Sequence, residues 1–419
     1  MNLCKFTSGL LSLTLWACAL PHATRAQSCT DAQVSDASRE ASIACASGAL
    51  CGAQCVDLGR DPAHCGGCDQ QCPGACLSGV CAPVSALAAG QSHRCALLSS
   101  GAVYCWGRNH HGQVGAAISQ AESQPVRVVG LPPAVALFAH SDNTCAVSAE
   151  GKAWCWGRND QGQLGLADRS DRSAPVPIAL LGVREVRGGE GFMCARDRWR
   201  QVWCWGANDE GQLGDSTRTS REFAAQPREL SDVVELGAST HGVCAVRADK
   251  LLYCWGRVRV DAWHYAISGA PARWATADAV EHIALGDDHL CMVHSDATVT
   301  CVGSNEFGQM SASPREDSFF ARVEGVSGVR QIVAGSRHTC VVSEVGQAQC
   351  WGDNRQRQIA DNSQAIVSLQ GITDGAIVGA IALGDGHTCV LGDDGVRCLG
   401  GRADPALGAL DESVSVRWP

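Results

Sequence analysis

Residues 93–107 read His-Arg-Cys-Ala-Leu-Leu-Ser-Ser-Gly-Ala-Val-Tyr-Cys-Trp-Gly, and the chain carries seven variants of this stretch. Each variant holds two cysteines, which are ten residues apart in the first six copies and nine apart in the last. The second cysteines follow one another at intervals of 47 to 50 residues. A period of this length indicates a stacked or circular repeat fold. The fourteen repeat cysteines are Cys95, Cys105, Cys145, Cys155, Cys194, Cys204, Cys244, Cys254, Cys291, Cys301, Cys340, Cys350, Cys389 and Cys398.

The sixth copy shows how one repeat is built. Three short apolar runs, 329–335, 338–343 and 347–352, are separated by turn residues, and the first copy supplies a fourth run at 125–128. Short strands at even spacing with glycine-bearing turns are typical of all-β arrays, and four strands per repeat are typical of propeller blades. Helical repeats are disfavoured because no segment keeps a 3.6-residue apolar period.

The spacing of the cysteines predicts a disulfide within each copy. Cys95 and Cys105 are symmetric about Ser100, so a turn there places them opposite each other on neighbouring strands, with Cβ atoms about 4.5–5.5 Å apart. In the last copy the shorter turn keeps Cys389 and Cys398 facing each other. Each bond would contribute about 2–3 kcal/mol in the chain-entropy model. Buried free thiols are the alternative, since cysteine also packs as a small hydrophobe.

Composition limits the class of protein. The 419 residues carry a formal net charge of −10, so the broad basic surface that binds nucleic acid is absent. The 25 cysteines would be hard to keep reduced in a cytosol, which favours export.

The N-terminal segment supports export. Lys5 precedes a largely apolar run, 6–20, that is too short to span a bilayer, and Ala26 ends a small-x-small cleavage site. We therefore assign 1–26 as a signal peptide. The alternative is a lipoprotein signal with Cys18 as the lipidated residue, and no later stretch predicts a transmembrane segment.

Residues 27–83 form a cysteine-rich module. They contain nine cysteines and little aliphatic material, so this segment needs cross-links to be stable. Disulfides are favoured over zinc, because Cys65-x-x-Cys68 is the single C-x-x-C unit and zinc knuckles usually pair two. The pairing within the module stays open. The stretch from Cys51 to Pro73 resembles the cysteine-rich module of plant stigma-specific proteins, which implies an extracellular module and no chemistry.

The remaining residues, 84–419, hold the repeats, and they resemble the regulator of chromosome condensation family. The first copy matches at 93–97, 101–107, Asn109 and 112–115, and the second and third copies match at 155–165 and 204–214. The resemblance covers about four fifths of the chain and implies a seven-bladed β-propeller with a closed ring. The segment from Val414 to Val416 is expected to complete the last blade.

Some copies depart from the repeat. Copy four replaces the expected Asn-x-x-Gly-Gln after Gly256, copies five and seven lack the tryptophan, and copy six has 357–360 where glycines are expected. These blades should have altered loops.

Family members act in different ways. The nuclear member is a nucleotide-exchange factor for a small GTPase, and some secreted bacterial members bind and inhibit extracellular enzymes. We expect a secreted or surface-attached, non-catalytic module that binds a protein or cell-surface glycan as a monomer, with no cofactor. A secreted propeller-scaffold hydrolase or lyase is the alternative, and a guanine-nucleotide exchange factor is a weaker one.

Aromatic residues in irregular loops are the candidate binding residues, because exposed aromatics often anchor interfaces. Filling of the core in an imperfect blade is the competing interpretation. The candidates are Trp263, His264, Tyr265, Trp274, Phe319 and Phe320.

Four histidines recur two residues before the first cysteine: His93, His289, His338 and His387. They suggest either a ring that binds metal or an anion, or residues that fix their own blades through backbone hydrogen bonds. The structural role is favoured, because residues that follow the repeat usually serve the repeat. We predict no metal site and find no catalytic constellation in the sequence.

Overall fold

The computed structural model describes residues 49–51, 54–57, 61, 63–65, 68, 72, 75–77, 80–259, 264–275, 279–310, 320–360, 362, 364–373, 376–393, 395–401 and 414–415. The signal segment and much of the cysteine-rich module lie outside these residues. The chain divides into two compact units, with the boundary between Val56 and Asp57.

Two short hairpins precede the propeller strands. In the first unit, β1 (Ala49–Cys51) pairs with β2 (Gln54–Val56). In the second unit, β3 (Ala75–Leu77) pairs with β4 (Val80–Ala82).

Two disulfides hold the cysteines around the second hairpin, Cys65–Cys76 and Cys72–Cys81. A zinc site at Cys65-x-x-Cys68 would need Cys65 as a thiolate, so its disulfide with Cys76 favours the disulfide interpretation.

Seven four-stranded antiparallel sheets follow, each with its strands in chain order, and together they form the blades of the propeller. The fold is therefore the all-β, seven-bladed β-propeller that the repeats predict. Blade 1 comprises β5 (Val84–Ala89), β6 (His93–Leu98), β7 (Val103–Arg108) and β8 (Ala121–Arg127); blade 2 comprises β9 (Ala134–His140), β10 (Asn143–Ser148), β11 (Ala153–Gly157) and β12 (Arg172–Pro177); blade 3 comprises β13 (Val183–Gly188), β14 (Phe192–Asp197), β15 (Val202–Gly206) and β16 (Arg221–Ala225); blade 4 comprises β17 (Val233–Ala238), β18 (Gly242–Arg247), β19 (Leu252–Arg259) and β20 (Tyr265–Arg273); blade 5 comprises β21 (Val280–Leu285), β22 (His289–His294), β23 (Val299–Gly303) and β24 (Ala321–Arg322); blade 6 comprises β25 (Val329–Ala334), β26 (His338–Ser343), β27 (Ala348–Asp353) and β28 (Ile366–Gly371); blade 7 comprises β29 (Ala380–Leu383), β30 (His387–Gly392), β31 (Gly395–Gly400) and β32 (Val414–Ser415).

Burial is greatest in the middle strands of a blade and falls at its outer edge. The first strands line a central channel. In blade 1, β6 is buried at all six positions, whereas β8 is buried at one of seven. A second strand that is buried on both faces requires a neighbouring blade on each side, and this is why the copies pack as a ring.

The repeat cysteines lie directly opposite each other on the second and third strands of every blade, as in the Cys95–Cys105 and Cys389–Cys398 pairs. All seven pairs are disulfides with Cα atoms 4.0–4.1 Å apart. This short separation is that of the close, non-hydrogen-bonded pairs of an antiparallel ladder. The shorter turn in the last copy keeps the pair in register.

The apolar core lies at the seams between blades. The core between blades 1 and 2 contains Val103 and Val114 from blade 1 together with Leu137 and Trp156 from blade 2. No blade therefore buries its apolar side chains without a neighbour of the same kind.

Among the residues that the structure describes, a hydrogen bond of one kind crosses four of the seams. The indole Nε1–H of Trp156 donates to the backbone carbonyl of Gln113 in the preceding blade at 2.9 Å. The same bond joins Trp205 to Gln163, Trp255 to Gln212 and Trp351 to Gln309, at 2.8–2.9 Å. Each indole belongs to Cys-Trp-Gly and each glutamine to the Gly-Gln run of the copy before it, so consecutive copies are interlocked.

The ring closes without strand exchange, because blade 7 takes its fourth strand from Val414–Ser415, which pairs with β31. Closure instead uses a seam between the two ends of the propeller, where Cys389 and Val396 pack with Tyr104 and Trp106.

The altered copies behave differently from one another. In copy four, β19 runs on to Arg259 and pairs with β20 where the other blades have a polar loop, so the expected alteration is confirmed. In copy six the expectation is wrong. Asn354 Oδ1 still accepts the Ile359 backbone N–H at 2.9 Å, as Asn109 does in copy one, because Arg357 adopts the left-handed φ of 61° that glycine takes elsewhere.

We predict that Trp255→Phe destabilises the propeller, because it removes the indole donor and leaves the buried Gln212 carbonyl unsatisfied, at a cost of about 1–3 kcal/mol. Urea unfolding measures this change. The control is Trp199→Phe on the surface, which should shift the free energy of unfolding by less than about 0.5 kcal/mol. Equal stabilities for the two variants would contradict the interlock.

Candidate functional site

An apolar groove lies on blade 3, where that blade faces blade 2. It has a volume of about 430 Å³. Leu181, Trp199 and Phe223 surround it with 70%, 55% and 62% of their surfaces exposed. Trp203 and Trp205 also line this space, which we call the Trp199 groove. Large apolar side chains that are exposed around one cavity are typical of interaction sites.

The β14–β15 turn fixes Trp199. Buried Asp197 accepts hydrogen bonds from the backbone N–H groups of Trp199 and Gln201, each at 2.9 Å, and from Trp203 Nε1 at 3.0 Å. The Arg198 N–H donates to the Gly182 carbonyl at 2.7 Å and ties the turn to the linker that precedes blade 3.

Gly182 makes room for the turn, because a Cβ there would lie 3.1 Å from both the Trp199 ring and the Arg198 side chain. Its φ of +68° also favours glycine.

Sequence reasoning did not select Trp199, although a signal was present. It lies five residues after the first cysteine of its copy, at the tip of the turn. In copies one, two, four, five and six this position holds Ser100, Glu150, Asp249, Asp296 and Val345. Most copies have a small or acidic residue at this position. The tryptophan therefore departs from the repeat within the cysteine hairpin, which is the most regular part of each copy.

A second groove, of about 340 Å³, lies on blade 4 and is also lined by Phe320 from blade 5. It brings together Trp274 and Phe320, two of the aromatics that the sequence selects. Trp274 is half-buried and packs against the core that holds Val258 and Val302. Its side chain therefore belongs both to the wall of the groove and to the edge of the hydrophobic core. Phe320 is 36% exposed.

Two more of the selected residues belong to the described part of the chain. His264 is exposed, and Tyr265 begins β20. Trp263 and Phe319 lie outside the described residues, so their role stays a prediction.

The mouth of the central channel is a polar pocket of about 200 Å³, built from the loops that follow the first strands. Glu190, Asp287 and Asp385 line it. Burial raises the pKa of Asp385, and the negative charges of Asp287 and Asp142 raise it further.

The carboxylates at this mouth have partners within the ring. Asp385 accepts from Ser336 Oγ at 2.7 Å, and the Thr240 hydroxyl donates to Asp287. In the part of the chain that the structure describes, no three His, Cys, Asp or Glu side chains are grouped so as to hold a metal ion.

The recurring histidines connect blades. Nε2 of His93 lies 2.7 Å from the Thr144 hydroxyl of the next blade, and His289 and His338 contact Thr339 and Thr388 at 2.8 and 2.9 Å. The role is structural, as favoured, but the partner is a side chain of the following blade and not the backbone of the same blade.

Burial keeps these rings neutral. It lowers the pKa of His93 and of His338 to about 3 and that of His289 to about 4. The positive charge of Arg94 adds to the effect at His93, and a protonated His289 would add to it at His338.

Comparison with known proteins agrees with this architecture. Profiles of the Regulator of chromosome condensation (RCC1) repeat match residues 84–113, 280–309 and 329–358 in one form, and 100–147 and 150–196 in another. The protein is thus a seven-bladed β-propeller that carries RCC1 repeats. No curated protein matches the chain.

Solved structures share the fold at low sequence identity. Human WBSCR16 has a TM-score of 0.66 at 16% identity, covering 74% of this chain and 87% of its own. Yeast RCC1 (Prp20), solved with Kap60, has a TM-score of 0.64 at 19% identity, covering 75% and 79%. Prp20p from Saccharomyces cerevisiae, described with its binding properties to Gsp1p and histones, has a TM-score of 0.63 at 20% identity, covering 75% and 81%.

Among the described residues, there is no helix with the length and hydropathy needed to cross a bilayer.

We predict that the buried histidines make stability depend on pH. Their pKa values lie below the usual 6.5, so unfolding takes up protons, and stability falls as the pH drops from about 6.5 towards 4. At pH 5 each ring would cost about 2 kcal/mol relative to neutral pH. Urea unfolding at pH 7 and pH 5 measures this, and His338→Asn should lower the difference between the two values. If the stability difference between pH 7 and pH 5 is the same in His338→Asn as in wild type, His338 is not held neutral in the folded protein.

Proposed function

We propose that this chain is a secreted or surface-attached propeller that binds a protein partner through the Trp199 groove and catalyses no reaction. The carrying observation is that Leu181, Trp199 and Phe223 remain 55–70% exposed around one cavity of a rigid blade. A tryptophan held in place by its turn loses little freedom on binding, and this favours its use as an anchor.

The walls of the groove favour a protein over a glycan. Sugar sites need polar groups beside their aromatic platforms, whereas Ile178, Leu180 and Leu181 line this groove with aliphatic carbon. Proteins are also the recorded partners among the propellers with this fold, since yeast RCC1 was solved with Kap60 and Prp20p was described with Gsp1p and histones.

Secretion is supported by the cysteine chemistry. Seven blade disulfides and those of the cysteine-rich module require an oxidising compartment. Exchange of nucleotide on a cytosolic GTPase would place the chain where such bonds are reduced.

We predict that Trp199→Ala abolishes capture of the partner without lowering stability. Immobilised residues 27–419 would be exposed to extracellular proteins of the source culture, and retained proteins would be compared by mass spectrometry between wild type and variant. Val345→Ala is the matched control, because Val345 holds the equivalent turn position in blade 6 and is also exposed.

A protein that is lost with Trp199→Ala and kept with Val345→Ala supports the function. Equal capture by all three chains would show that the groove is not the binding site. Binding of glycans alone, measured on a glycan array, would contradict a protein partner.

One observation favours the hydrolase alternative, namely the carboxyl of Asp385 with its raised pKa beside Asp287 at the channel mouth. A carboxyl whose pKa is raised and that lies near a second carboxyl is the arrangement used by general acids. We expect no turnover of polysaccharide or glycoside substrates by the purified chain. Turnover that disappears in Asp385→Asn, with folding unchanged, would make the channel mouth the active site instead.

A further inference from the structure

We propose that the segment bound in the Trp199 groove is acidic and carries one bulky apolar side chain. This inference rests on the proposed function and specifies the chemistry of its partner. It follows from the arginines at the lip of the groove, which the binding of an apolar side chain does not require.

The first step concerns charge. The chain as a whole carries a formal net charge of −10, yet the β14–β15 turn at the lip of the groove exposes Arg198 and Arg200 on either side of Trp199, and Arg184 on β13 is exposed as well. Within the described residues, none of these three forms an ion pair with a carboxylate, whereas Arg187 and Arg196 nearby are both paired to Glu185. The lip therefore carries two arginines without an ion pair on an acidic protein, and such charges favour acidic partners.

The second step concerns Arg198. Its guanidinium carbon lies 4.3 Å from the centre of the Trp199 ring, so the planar group is stacked on the indole. Stacking uses the face of a guanidinium and leaves its N–H edge free for the two-point binding of a carboxylate. The arginine is thus positioned in advance beside the apolar anchor.

The third step concerns the carboxylate beneath the lip. Asp197 is 4% exposed, and its two oxygens accept hydrogen bonds from Trp203 and from two backbone N–H groups. The carboxylate of Asp197 therefore stabilises the turn. The carboxylate of Glu222, the residue before Phe223, forms an ion pair with Arg169. The exposed arginines are left to meet carboxylates of the partner.

The apolar part of the partner follows from the groove itself. Trp203, Trp205 and Ile178 line a space large enough for an aromatic or branched side chain. An acidic segment without such a residue would leave this surface exposed to water, and an apolar segment without acids would leave the arginines unpaired. The two features together define a segment in which acidic residues flank a Trp, Phe or Leu.

The test is selection of random dodecapeptides displayed on phage against immobilised residues 27–419, with removal of peptides that also bind the Trp199→Ala chain. Enriched peptides should place Asp or Glu on both sides of a bulky apolar residue. Anisotropy titrations of a labelled enriched peptide should show about 30-fold weaker binding to Trp199→Ala and about threefold weaker binding to Arg198→Ser, with Arg198→Lys in between. Val345→Ala should bind like wild type.

Two further measurements distinguish the contribution of charge to binding from that of apolar packing: the dependence on salt, and a control peptide without acidic residues. Raising the salt from about 0.05 M to about 0.5 M should weaken binding to wild type more than to Arg198→Ser. The control peptide, with Asn and Gln in place of Asp and Glu, should bind several-fold more weakly.

Enriched peptides that depend on Trp199 but have no excess of acids, and that bind Arg198→Ser as well as wild type, would overturn this inference and leave the proposed function standing. Peptides that bind the Trp199→Ala chain equally well, or none enriched at all, would overturn both.

Discussion

The propeller depends on one contact between successive copies, the indole N–H of one blade donating to the glutamine carbonyl of the blade before it. The carbonyl of Gln113 receives both Trp156 and the Thr144 hydroxyl, and that of Gln309 receives Trp351 and Thr339. The same threonines contact the buried histidines His93 and His289. A backbone oxygen buried at a seam thus obtains donors from the next blade, and the apolar core packs around a satisfied polar centre. The disulfide within each blade then joins its second and third strands, which in blade 6 carry His338 and Trp351.

The interlock also explains how copies four and five remain joined in the ring. Copy four has lost the Gly-Gln run, and copy five has Val302 where the tryptophan belongs. Donor and acceptor are therefore absent together, and Val302 packs in one core with Val258 of the extended strand β19. Replacing both partners of a buried hydrogen bond by apolar groups can be nearly neutral, whereas losing one of them is costly. The fourth strand of blade 5, β24, is two residues long, and the groove with Trp274 and Phe320 opens beside it.

Much of this architecture could be predicted from the sequence, because the strands, the turns and the register of the cysteines depend on residues that are close together within each copy. For example, the spacing of Cys389 and Cys398 is enough to predict that they lie opposite each other across a shortened turn. The interlock could not be found in this way, since Trp156 and Gln113 are 43 residues apart and their meeting depends on how blades stack. The same limit applied to copy six, where the missing glycine suggested an altered loop and the hydrogen bonds of Asn354 overrode the cost of a left-handed Arg357.

The candidate site was partly predictable for a related reason. Trp274 and Phe320 lie where the repeat pattern breaks down, and this is why the sequence singles them out, whereas Trp199 lies in a turn whose length and register are regular. A rigid turn is nevertheless the better support for an anchor. The disulfide at Cys194 and Cys204 and the bonds to Asp197 hold its base, and Gly182 gives the ring its room. On a fold held together at the seams between blades, a residue at a turn tip can change without disturbing the core, and this freedom would allow one copy of seven to acquire the binding surface that we propose.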